Sequence, residues 1–162
     1  MTRLAVALLA LAAAAPAAAQ SQASLQLVPE SGAISELSLD SLRAMPQVEL
    51  RGRIHDGPEL VFRGPALDAV LALAGAPQGH DLRGPALRLV VLAEARDGYA
   101  VVYSLAELSP GLGGRRGIVA VEQDGQPLSD KDGPLRIVLE GEGRPARWIR
   151  QLERLRIMRV GN

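Results

Sequence analysis

DGQPLSDKDGPLRIVLEGEGRPARWIR, Asp124 to Arg150, is the stretch from which the fold is read. Asp124-Gly125 marks a turn, and a proline-punctuated loop follows it. Leu135 to Leu139 then reads as a strand. Its alternation puts Leu135, Ile137 and Leu139 on one face, while Arg136 shares the other with Val138. An arginine there lies on a solvated face, pairs with a carboxylate, or marks an anionic ligand. The last option follows because a guanidinium is a planar fork matched to phosphate and carboxylate. Further on, Arg144, Arg147 and Arg150 recur every three residues around Trp148, the only tryptophan in the chain. On a helix the three would share one face.

Working outward, the chain is mostly short strands joined by glycine and proline turns. Leu25 to Val28 and Ile34 to Leu39 read as strands. Asp40 to Met45 reads as a short helix ended by Pro46. Val48 to Ile54 alternates with period two, turns at His55-Asp56-Gly57-Pro58 and returns as Glu59 to Phe62, which predicts a hairpin. Gly64-Pro65 opens the clearest helix, which Gly75 stops. Leu67, Val70, Leu71 and Ala74 fall on one apolar stripe there. Leu87 to Ala93 reads as a central strand, turned at Asp97-Gly98 into Tyr99 to Tyr103. Ser104 and Glu107 have the spacing of a capping box over Leu105 to Leu108. Pro110 to Gly114 reads as a flexible loop, and Gly117 to Glu122 and Leu155 to Val160 as two further strands. The fold class is therefore α+β, compact, mixed and mainly β, with two to three short helices.

Composition removes several function classes. The chain holds 18 basic and 18 acidic side chains, without the basic excess of a nucleic-acid binder. It has no cysteine, so disulfides, a thiolate nucleophile, zinc–cysteine sites and iron–sulfur clusters are all excluded. With only His55 and His80, a histidine-rich metal site is excluded too. Arg3, the apolar run Leu4 to Ala15, Pro16 and Ala17-Ala18-Ala19 read as an export leader, residues 1–19, cleaved after Ala19. An uncleaved N-terminal anchor is the alternative. The run is short for a membrane span, and no later segment approaches the required length. Residues 20–24 read as a flexible polar stretch and 25–162 as one domain of ordinary size. A periplasmic or secreted location follows from the leader.

Taken in order, several motifs resemble one known family. They are Ser38-Leu39-Asp40-Ser41-Leu42, Phe62-Arg63-Gly64-Pro65-Ala66-Leu67, Asp97-Gly98-Tyr99, Tyr103-Ser104-Leu105, Asp124-Gly125-Gln126-Pro127-Leu128, Gly133-Pro134-Leu135-Arg136 and Arg147-Trp148. From Ser38 to Trp148 the chain resembles the molybdopterin-binding domain of sulfite-oxidase-like oxidoreductases, in its small, exported, stand-alone form. The resemblance implies a compact mixed α+β domain. It also implies a surface that holds a phosphate-bearing pterin through basic side chains, with Arg136 and Arg147 in holding positions and Trp148 packed beside the ligand. Members that do chemistry bind molybdenum partly through a cysteine thiolate placed after a strand like Val48-Glu49-Leu50. Here that place is taken by Arg51, Gly52 and Arg53.

Three functions are open at this point. One is an exported protein that binds a small anionic, pterin- or phosphate-like ligand, or a partner, without turnover. Another is a periplasmic molybdopterin-dependent oxidoreductase. A third is an interaction module for a periplasmic or membrane signalling protein, using a sheet edge or the groove beside Tyr99 and Tyr103. The candidate ligand-binding residues are Arg136, Arg147, Trp148, Arg51, Arg53 and Tyr99. No residue is assigned a catalytic or metal-ligating role, and molybdopterin is the one cofactor the resemblance implies. A convergence of Arg136, Arg147 and the Arg51–Arg53 strand on one concave surface is the geometry that favours ligand binding.

Overall fold

The computed structural model describes residues 23–161. The leader expected over residues 1–19 lies outside them. Of the polar stretch 20–24 only Ala23 and Ser24 are described, and Ser24 already belongs to the first strand. No helix among the described residues is long and apolar enough to cross a membrane.

The architecture is mixed α+β and mainly β. In the first half, β1 (Ser24–Val28) and β2 (Ser35–Ser38) form a hairpin. Helix α1 (Leu39–Ala44) begins at Ser38, whose hydroxyl accepts a bond from Ser41 N at 3.0 Å. It ends before Pro46, as the proline requires. The predicted hairpin is β3 (Gln47–Arg53) with β4 (Glu59–Pro65). Helix α2 (Leu67–Leu73) buries Leu67, Val70 and Leu71, and Ala74 just past its end is buried too, which completes the stripe read from the sequence. Its start is later than Gly64-Pro65 suggested. Those two residues stay in β4, paired with Val48 and Gln47. Gly64 lies so close to the neighbouring strand that a Cβ there would be 2.0 Å from the Val119 carbonyl oxygen.

The second half follows the same pattern. β5 (Leu89–Ala95) and β6 (Ala100–Ser104) form a hairpin, and α3 (Leu105–Leu108) follows. β7 (Gly117–Ala120), β8 (Glu122–Gln123) and β9 (Gln126–Pro127) lead to β10 (Arg136–Leu139) and β11 (Leu152–Arg159). Five strands form one sheet in the order β2-β1-β11-β5-β6, with β1 and β11 parallel. A second sheet runs β3-β4-β8-β9, and β10 pairs with β7 as a two-stranded ribbon. The ribbon joins the sheets. Ile118 bridges Ala66 at the end of β4, and the Leu135 carbonyl accepts from Leu152 N at the start of β11. β5 lies inside its sheet as expected, but it alternates buried and half-buried residues, so only one of its faces meets the core.

Two local expectations are corrected. Ser104 makes no side-chain bond to α3, and the Glu107 side chain, the other half of the expected capping box, is bound to Arg147. The Pro110–Gly114 loop is held against α3: Gly113 N and Arg115 N donate to the Ala106 and Glu107 carbonyls at 3.0 and 3.1 Å.

Candidate functional site

Arg136 sits in β10 opposite Ala120, and all four residues of that strand are buried. The solvated-face reading of Arg136 is thus overturned, since the residue is only 2% exposed. Both faces of β10 are covered, and the arginine face is covered by rings. The guanidinium lies 5.5 Å from the Phe62 ring centre and 5.8 Å from that of Trp148. Those two rings meet edge to face at 5.5 Å. Cation–π attraction holds the charge, but it does not replace hydrogen bonds. Asp132 Oδ1 is 3.4 Å from Arg136 Nη1, and Arg136 Nε is buried with no partner. Burial lowers the pKa of Arg136 below its ordinary value. Asp132 opposes that shift and Arg150 adds to it.

Trp148 is fixed from two sides. Its indole N–H donates to the Leu139 carbonyl at 3.0 Å. The edge of its six-membered ring meets Gly52, where a Cβ would be 2.2 Å from Trp148 Cη2. The glycine at this point of β3 is required by the indole above it.

Arg136 and Trp148 form part of the wall of a cleft of about 920 Å³, against about 320 and 200 Å³ for two smaller cavities. That volume is in the range of small-molecule sites. Ile54, His55 and Asp56 reach the cleft from the β3–β4 turn, and Asp97 and Tyr99 from the β5–β6 turn. Lys131 and Asp132 reach it from the loop before β10, and residues 143–146 and Arg150 complete it. Four permanent cations, Lys131, Arg136, Arg144 and Arg150, face three carboxylates, Asp56, Asp97 and Asp132. Asp97 is partly spent on the Tyr99 N–H at 2.9 Å. Among the described residues, Lys131 and Arg144 have no side-chain ion pair, and Arg150 is held only by Asp132 at 3.9 Å. The cleft therefore has positive charge to spare next to an aromatic wall.

The six sequence candidates separate. Arg136, Trp148 and Tyr99 come together in this cleft, where Tyr99 donates its hydroxyl to the Ala146 carbonyl at 2.7 Å. Arg51 and Arg53 are exposed along β3 outside the cleft lining, and Arg51 pairs with Glu59 at 3.5 Å. Arg147 also lies outside the lining. It pairs with Glu107, lies 3.4 Å from Glu142 and stacks 4.8 Å from the Tyr103 ring centre. The expected convergence of Arg136, Arg147 and the Arg51–Arg53 strand therefore does not occur. Nor do the three arginines around Trp148 share a helical face. Only Pro145–Arg147 forms a 3-10 turn, which sends Arg147 one way and leaves Arg144 and Arg150 at the cleft.

Lys131, Asp132 and Phe62 were not singled out from the sequence. Asp132 and Arg136 are separated by Gly133, Pro134 and Leu135 outside any helix or strand, where no periodic rule brings the two side chains together. The cofactor implied by the resemblance fits this wall only in part. Guanidinium groups suit its phosphate end. At the metal end, Gly52 is overlaid by Trp148 and the chain has no thiolate to offer. Among the described residues, no three His, Cys, Asp or Glu side chains gather in a way that could hold a metal ion. No protein-family model matches the chain, and no curated protein matches it in sequence.

Proposed function

We propose that this chain is an exported binding protein that takes a small anionic ligand, phosphate- or pterin-phosphate-like, in the Arg136 cleft and does not turn it over. One observation carries the reading. A guanidinium is kept buried against two aromatic rings, with one N–H unpartnered, in the wall of a cleft that holds three more cations. Burying a charge without full pairing costs stability, and such a cost is commonly kept at sites that bind. The aromatic wall suits a ring, and the cationic rim suits an oxyanion. The absence of a thiolate position beside Trp148 supports binding without the family's metal chemistry.

The test uses Trp148 as its reporter, since it is the only tryptophan and stacks on Arg136. Inorganic phosphate and pyrophosphate are titrated against the protein at fixed ionic strength while Trp148 emission is followed. Saturable change is expected. Arg150→Ala, and Arg136→Met, which keeps an unbranched side chain against the rings, should each weaken binding about tenfold or more. Arg53→Ala should leave it unchanged. No saturable response, or an equal loss in Arg53→Ala, defeats the reading. Stoichiometric molybdenum in protein purified from its native compartment would overturn the claim of no turnover.

A further inference from the structure

We infer that the Asp132 carboxylate occupies the anion subsite between Arg136 and Arg150, and that a ligand oxyanion must displace it to bind. The inference rests on the anion-binding reading of the cleft and adds a built-in competitor to it. A single oxygen, Asp132 Oδ1, is shared by two guanidiniums, 3.4 Å from Arg136 Nη1 and 3.9 Å from Arg150 Nη1. Formed charge-assisted bonds of this type are about 2.7–2.9 Å long. The carboxylate therefore stands in the right place for both arginines and bonds well to neither.

Its backbone does not let it close the gaps. Ser129 O accepts from Asp132 N at 3.0 Å and from Gly133 N at 2.7 Å, while the Asp132 carbonyl accepts from Gln151 N at 3.0 Å. The side chain has an alternative partner, since Ser129 Oγ donates to Oδ2 at 3.1 Å. Side-chain exposure rises from 3% at Arg136 through 25% at Asp132 to 46% at Arg150. The carboxylate thus lies between the buried charge and the open cleft. A phosphate group brings more oxygens than the one Asp132 supplies, and no backbone holds it back. It can bond both guanidiniums at full strength once the carboxylate swings away. The internal acid then sets a threshold: weakly charged solutes fail to displace it, and multiply charged oxyanions succeed.

The measurement is the same Trp148 titration with inorganic phosphate and with pyrophosphate at constant ionic strength, on wild type, Asp132→Asn, Asp132→Ser and Asp56→Asn. Asp132→Asn and Asp132→Ser should each bind about tenfold tighter than wild type. Asp56→Asn removes the same charge from the same cleft but touches neither arginine. It should gain less than about threefold, because that charge is exposed and screened. The gain should be larger for phosphate than for pyrophosphate, which already carries the charge to displace the acid. Unchanged or weaker binding in both Asp132 variants overturns the inference while leaving the anion site standing. An equal gain in Asp56→Asn also overturns it, by showing a general field effect. Absence of binding in every protein overturns the anion site and this inference together.

Discussion

A hydrogen atom in place of a side chain at Gly52 is what lets the edge of the Trp148 indole come against β3 with the ring beside the Arg136 guanidinium. Gly52→Ala puts a methyl group 2.2 Å from Trp148 Cη2, which a buried ring cannot accommodate in place. The expected cost is about 2 kcal/mol, in the range of overpacked cores. It is read as a lower urea midpoint with a shifted Trp148 emission maximum, and an unshifted emission would show that the ring is not the group displaced. Arg147 gives the opposite kind of prediction. Its side chain is about one-third exposed and engaged with Glu107, Glu142 and Tyr103. Arg147→Ala should therefore lower stability by about 1 kcal/mol after allowance for solvent screening, and leave phosphate affinity within about twofold. A large loss of affinity in that variant would return Arg147 to the list of ligand residues.

At the scale of elements, the tightest joint is the crossing of β4 and β7. A Cβ at Gly64 would meet the Val119 carbonyl oxygen at 2.0 Å and the Ala120 Cα at 2.8 Å. Backbone on both sides leaves nothing that can rotate away, in contrast to the side-chain obstacle at Gly52. Gly64→Ala is expected to cost about 3 kcal/mol or more, clearly above Gly52→Ala, in parallel denaturant titrations. The reverse order would mean that β4 can slide on β7. The elements themselves were largely readable. The period-two run of β3, the Asp97-Gly98 turn into β6 and the apolar stripe of α2 follow from local chemistry that is the same in any fold. The start of α2 was not readable, because Pro65 suits a first helical turn as well as a strand end. Contact between Gly64 and β7 decides between them. The capping box at α3 failed for a similar reason, since Glu107 found a stronger partner in Arg147, forty residues further along the chain.

For the whole molecule, the buried Tyr103 hydroxyl donates to the Arg147 carbonyl and ties the β6 core to the segment that bounds the cleft. Burial pushes its pKa above the ordinary value of 10.0, with the neighbouring Arg147 charge working against the shift. A phenol whose pKa is raised by folding favours the native state fully at low pH. That contribution is lost as pH rises, because the unfolded chain ionises first. Stability should thus fall from about pH 10 upward, with a slope approaching about 1.4 kcal/mol per pH unit. Tyr103→Phe should flatten that alkaline slope while lowering stability at neutral pH through the lost bond. Unfolding monitored by circular dichroism between neutral pH and pH 11 checks both, and an unchanged slope in Tyr103→Phe would assign the alkaline loss to other groups.

The order of strands and helices, the α+β class and the presence of an arginine at a strand position were determined by the sequence alone, through periodicity, turn chemistry and composition. The cleft was decided by tertiary structure. Arg136 is buried because β4 and Trp148 close over it. Arg147 is removed from the site by Glu107 of α3 together with Glu142 of its own loop. Arg51 and Arg53 stay on the surface because Gly52 between them is the residue that faces the indole. Which charges share a site depends on contacts between segments distant in the chain, and no local pattern of residues encodes those distances.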